Sequence, residues 1–164
     1  MKKTSLLLIA ALVLCYSKCG LVDEFDGFIV KNNSGHPVAI YIADKIQSDA
    51  SVYPDTTLPA NYSYVKFIDS GPTDFYWQIR LSSKGYSSLA DYFKKNLPVD
   101  TLSVYFFHPD TLTKYSWEKV REDYMILKRY DMSLENLQYL DKKTVNYPPT
   151  ESMKNIKQYP PYEE

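Results

Sequence analysis

The chain is short of several things, and each shortage removes a class of chemistry. Its two cysteines, Cys15 and Cys19, both fall in the first nineteen residues, so the 145 residues beyond them hold no intrachain disulfide and no thiolate metal site. Stability there has to come from packing. Glycine is scarce, five residues against ten prolines, which disfavours both Gly-rich phosphate loops and long helices. Positive charge is not concentrated anywhere: Lys2, Lys3 and Lys18 precede residue 20, which leaves 16 basic against 20 acidic residues beyond Cys19, a net charge of −4. The lack of a basic cluster argues against binding to nucleic acid by counterion displacement and disfavours charge-driven docking on anionic lipid. Long apolar runs are missing too. The longest, Leu6 to Leu14, is nine residues, whereas about 20 are needed to cross a ~30 Å hydrocarbon core.

That short run sits between Lys2-Lys3 and a zone of small or polar residues around Cys15, Ser17 and Cys19. The order of charged, apolar and cleavage segments reads as an export signal over residues 1–19. Residues 20–27, with Asp23, Glu24 and Asp26, then read as an acidic tether. They lack the alternating carboxylates before a glycine that calcium loops require. Residues 28–164 are of a size for one domain.

Aromatics are what the chain has in plenty, at 15% of residues, with fifteen of the sixteen tyrosines beyond Cys19. Tyrosine favours strands and the wet edges of cores, so β structure is expected. Phe28 to Lys31 reads as a first strand closed by Asn32-Asn33-Ser34-Gly35. Val38, Ile40 and Ile42 alternate with Ala39, Tyr41 and Ala43, which puts the first set inward. Tyr62 to Asp69 and Phe75 to Leu81 are further alternating strands. Thr101 to Phe107 is apolar on both faces, the mark of a strand covered on both sides. Tyr53-Pro54-Asp55-Thr56 and His108-Pro109-Asp110-Thr111 read as two similar turns. Trp117 to Arg121 fits one helical turn, and Tyr124 to Tyr130 a strand with Met125 and Leu127 facing in. Ser87 or Ser88, Ser133 and Thr150 are each placed to cap a short helix. The predicted architecture is mainly β: an antiparallel two-sheet β-sandwich of about seven strands with short helices, chiefly near the C-terminus.

The run Met125-Ile-Leu-Lys-Arg-Tyr-Asp-Met-Ser-Leu-Glu-Asn-Leu137, the segment Val145-Asn-Tyr-Pro-Pro-Thr-Glu-Ser-Met153 and the closing Tyr-Pro-Pro resemble a group of small exported proteins of Bacteroides-like gut bacteria. Tyr53-Pro-Asp-Thr and the Asn32-Asn-Ser strand end resemble the same group. The resemblance implies an envelope protein, commonly lipid-anchored, and carries no catalytic residue with it. Lipid attachment would fall on Cys19, where the tether begins, with Cys15 the alternative. Leu14 and Lys18 precede these cysteines where a small residue is usual, so cleavage without lipidation is the third outcome.

No stretch reads as a catalytic motif. A Gly-x-Ser-x-Gly elbow is absent, and no cysteine lies beyond residue 19. His36 and His108 each stand before proline at an expected strand edge, with no clear third ligand to complete a metal set, and read as turn-edge residues. Glu122 and Asp123 are adjacent and would point to opposite faces of a strand, unlike a glycosidase pair. Neither a metal nor a cofactor is expected. The expectation is a non-enzymatic envelope protein, at the outer membrane or cell surface, binding a glycan or a protein partner. Its binding face would draw on Tyr41, Tyr64, Tyr76 and Tyr124, all on expected outer faces. An envelope hydrolase whose residues converge only in the fold, a structural subunit of a surface complex, and a soluble periplasmic or secreted protein are the alternatives.

Overall fold

The computed structural model describes residues 27–43, 58–59, 65–71, 74–78, 86–97 and 100–163. The export signal with Cys15 and Cys19, the acidic segment 20–26, Tyr64, and the turn at Tyr53-Pro54 lie outside the described residues.

The described chain is mainly β and its strands form two sheets. Strands β1 (Gly27–Asn32), β4 (Asp74–Gln78) and β7 (Thr144–Tyr147) make a three-stranded sheet in the order β4-β1-β7. Strands β2 (Val38–Ala43), β3 (Val65–Ile68), β5 (Thr101–Phe107), β6 (Lys128–Ser133) and β8 (Lys157–Tyr159) make a five-stranded sheet in the order β3-β2-β5-β6-β8. Every ladder is antiparallel except that between β1 and β7, which is parallel. That pair cannot be a hairpin, and most of the five-stranded sheet intervenes in sequence.

Period two decides which side chains meet between the sheets. Phe28, Val30 and Val145 of the small sheet share one buried cluster with Val38, Ile40, Leu102, Val104, Phe106, Tyr130 and Met132 of the large one. The rings of Phe106 and Tyr147 stack across the sheets with centroids 4.8 Å apart, and the Tyr130 hydroxyl donates to the Asn146 carbonyl at 2.9 Å. Helices α1 (Leu89–Asn96) and α4 (Leu134–Tyr139) complete this core with Leu89, Tyr92, Phe93 and Leu137. Ser88 and Ser133 cap them through hydrogen bonds from Asp91 N and Asn136 N.

The large sheet is buried on its other face as well, as the doubly apolar pattern of β5 predicts. Ala39, Tyr41, Ala43, Tyr105 and Phe107 form a second core with Leu58 and with Trp117 and Val120 of α3 (Trp117–Glu122). Trp117 Nε1 and Arg121 Nε donate to the carbonyls of Pro59 and Leu58, each at 3.0 Å, and so pin residues 58–59 over the sheet. Two expectations are corrected here. His108-Pro109-Asp110-Thr111 opens a helix, α2 (Pro109–Lys114), because His108 Nδ1 accepts from Asp110 N and proline occupies the first helical position. The strand placed at Tyr124 to Tyr130 begins at Lys128, because Tyr124 adopts φ 50° and turns the chain at the end of α3. Leu127 is consequently exposed, and Tyr130 and Met132 take the inward positions.

Candidate functional site

The face of the three-stranded sheet that turns away from the core carries a cleft of about 320 Å³. Strand parity builds it. Phe28, Val30 and Asn32 point inward, so Ile29 and Lys31 point out. The same alternation brings out Asp74 and Tyr76 from β4 and Thr144 and Asn146 from β7. Register then fixes two rows across the sheet: Tyr76, Ile29 and Thr144 in one, Asp74, Lys31 and Asn146 in the other. Asp141, Lys142 and Ser152, from the turns before and after β7, form the remaining wall.

Hydrogen bonds hold the polar groups in place. Lys31 Nζ lies 3.5 Å from Asp74 Oδ1, and the Tyr76 hydroxyl donates to Asp74 Oδ2 at 3.4 Å. Asn33 Nδ2 donates to Asn146 Oδ1 at 3.0 Å, which orients that amide. Next to Lys31, the fully buried Asn32 donates through Nδ2 to the carbonyls of His36 and Ile68 and accepts from Ser34 through Oδ1. This ties the end of β1 to the large sheet. Lys142 and Lys143 adopt φ 48° and 53° in succession. Left-handed backbone at non-glycine residues costs on the order of 1–3 kcal/mol each and concentrates at functional sites. Here it carries Lys142 to the cleft wall.

The three expected tyrosines that lie among the described residues, Tyr41, Tyr76 and Tyr124, are not brought together. Tyr76 is 54% exposed and lines the cleft. Tyr41 is buried in the second core, its ring 6.2 Å from that of Trp117, because α3 covers the face expected to be open. Tyr124 is half-buried against Tyr159, ring centroids 5.7 Å apart. Tyr139, 81% exposed two residues before Asp141, is an exposed aromatic that sequence reasoning did not single out, as are Phe67 and Tyr115, and none of the three lines the cleft. Lys31, Asp74, Asp141, Lys142, Asn146 and Ser152 were equally missed, since none belongs to a motif.

The other constellations take up structural positions. His36 is exposed in the β1–β2 turn, and His108 caps α2 with a half-exposed ring. The pairing of Ala39 with Phe107 sets them at one end of the large sheet. Among the described residues no group of three His, Cys, Asp or Glu could hold a metal ion. Glu122 and Asp123 lie at the end of α3, not in a strand, and Lys119 Nζ reaches both, at 3.7 and 2.9 Å. These contacts, that with Asp123 foremost, hold the Lys119 ammonium above its ordinary pKa. On the second-core side of β6, Arg129 Nε donates to Asp131 Oδ1 at 2.8 Å, Ser103 Oγ donates to the same oxygen, and the guanidinium lies 5.4 Å over Tyr105. Ser103 is fully buried, so it offers no nucleophile to a substrate.

No family model, curated protein or solved structure matches the chain.

Proposed function

We propose that this is an exported cell-envelope protein, held to the outer membrane or cell surface by a lipid on Cys19, with Cys15 the alternative position. It works without catalysis, as a binding module whose ligand enters the cleft on the outer face of the three-stranded sheet. One observation carries the binding role: outward-facing side chains of three paired strands converge with two turns on a single polar cleft of about 320 Å³. That volume falls at the small end of ligand pockets, ~300–1,000 Å³. Groups presented from paired strands are also held more rigidly than groups on loops, which lowers the cost of ordering them on binding. The N-terminal order of charged, apolar and cysteine-bearing segments supports export.

The test is retention of the full exported chain on washed envelope fragments, wild type against a Thr144→Trp/Ser152→Trp double variant that fills the cleft. The variant is expected to lose at least about tenfold in retention, roughly 1.4 kcal/mol, at an unchanged melting temperature. Equal retention contradicts the cleft as the binding site. A mass spectrum of the mature N-terminus reads the anchor: a diacylated Cys19 is expected, and a free Gly20 amine contradicts it.

A further inference from the structure

The chemistry of the cleft narrows the ligand class, an inference that rests on the binding role above. We propose that the cleft takes an uncharged carbohydrate: a sugar ring of a neutral oligo- or polysaccharide, stacked on Tyr76 and hydrogen-bonded by Asp74, Asn146, Thr144 and Ser152.

Charge balance is the first ground. Among the described residues of the lining, two lysines, Lys31 and Lys142, are matched by two aspartates, Asp74 and Asp141, so these residues carry no net charge to draw an anion. Arginine, the bidentate binder of phosphate and carboxylate, is not among the described lining residues. Lys31 is already engaged by Asp74 at 3.5 Å. An apolar ligand fits no better, because among the described lining residues only Ile29 and the Tyr76 ring would meet it. An uncharged ligand rich in hydroxyls is what remains.

Geometry is the second ground. A pyranose ring presents a face of C–H groups and a rim of hydroxyls that both donate and accept. The Tyr76 ring, 54% exposed on a paired strand, offers a flat apolar surface at a fixed height above the sheet. Around it stand complementary partners. Asp74 accepts only, and its contacts with Lys31 and Tyr76 leave lone pairs over. Asn146 uses Oδ1 to accept from Asn33, which leaves its Nδ2 to donate. The Thr144 hydroxyl can do either, and that of Ser152, which shares a hydrogen bond of 3.0 Å with the Thr150 hydroxyl, still has a lone pair to accept. The platform, the acceptor and the donor lie on adjacent strands in fixed register, so they are organised before a ligand arrives.

The experiment is affinity electrophoresis of the full exported chain in mild detergent, through gels cast with a β-glucan, a mannan, a galactan or a xylan, with polygalacturonate as the charged comparison. Alongside it, retention on envelope fragments is measured after periodate, which cleaves vicinal diols, and after protease. Retardation by a neutral polymer, unchanged on adding salt, is expected. Tyr76→Ala should weaken it about tenfold, as loss of a central aromatic anchor does, while Tyr76→Phe keeps it. Periodate should abolish retention on the fragments and protease should not. Preference for polygalacturonate, or equal retardation of Tyr76→Ala, overturns the proposal. Retention abolished by protease and untouched by periodate overturns the carbohydrate while the cleft stands as a protein-binding site. Retention that survives both filling of the cleft and periodate overturns the two readings together.

Discussion

Tyr130 joins the two sheets through both ends of its side chain. Its ring packs edge-on to Phe106 within the large sheet, and its hydroxyl reaches across to the Asn146 carbonyl on the small one. Burial pushes the Tyr130 phenol well above the ordinary tyrosine value of 10.0, and burial raises Tyr147 beside it as well. In the unfolded chain both phenols ionise near the ordinary value, so their contribution is complete below pH 10.0 and is lost as pH rises beyond it. Lys128 acts in the opposite sense. Desolvation lowers its pKa, so it sheds its proton earlier in the folded protein and offsets part of the loss. Denaturant unfolding across pH should therefore show a stability that falls on the alkaline side, and a shallower fall in Tyr130→Phe. That variant should also start about 1 kcal/mol lower, because the Asn146 carbonyl loses its donor. Identical alkaline slopes in the two proteins contradict this assignment. Single residues were unevenly legible. Tyr76 was found because β4 alternates cleanly, whereas Tyr41 obeys the same alternation and is buried, because alternation cannot tell which faces other segments cover.

Among the elements, those with local signals were readable. β5 was evident from apolar residues on both faces, and α1 and α4 from a serine before an apolar helical face with no proline inside. In α4 the cap is reciprocal: Asn136 N donates to Ser133 Oγ at 3.1 Å, and Ser133 N donates to Asn136 Oδ1 at 3.0 Å. Ser133→Ala should lower the urea midpoint at constant m, by an amount equivalent to about 1 kcal/mol. Ser133→Asp should retain most of it, and an unchanged midpoint in the alanine variant contradicts the capping role. α2 was misread because His-Pro-Asp-Thr suits a turn and a helix start equally, and the conformation of Leu112 to Lys114 decides between them. β7 and β8 are only four and three residues long, too short to show a period. Their strand character comes from pairing with strands elsewhere in the chain: β1 for β7 and β6 for β8.

At the scale of the molecule, the described residues form a small sheet, a large sheet and a helical cover around two cores, and the outer face of the small sheet carries the cleft. The mainly β, two-sheet architecture was legible from tyrosine content and alternation. The cleft was not, because it needs β1 between an antiparallel β4 and a parallel β7, and no local pattern in Lys31, Asp74 or Asn146 reports that adjacency. The same adjacency makes the site directly observable. A backbone amide NMR titration of the exported chain, with the neutral polysaccharide fragment that retards it, reads both sides of the molecule at once. Saturable shifts are expected at Ile29, Lys31, Tyr76, Thr144 and Asn146, with the amides of Trp117 to Val120 on the opposite side unmoved. Shifts centred on α3 and the second core, with the small sheet silent, would contradict the cleft as the carbohydrate site.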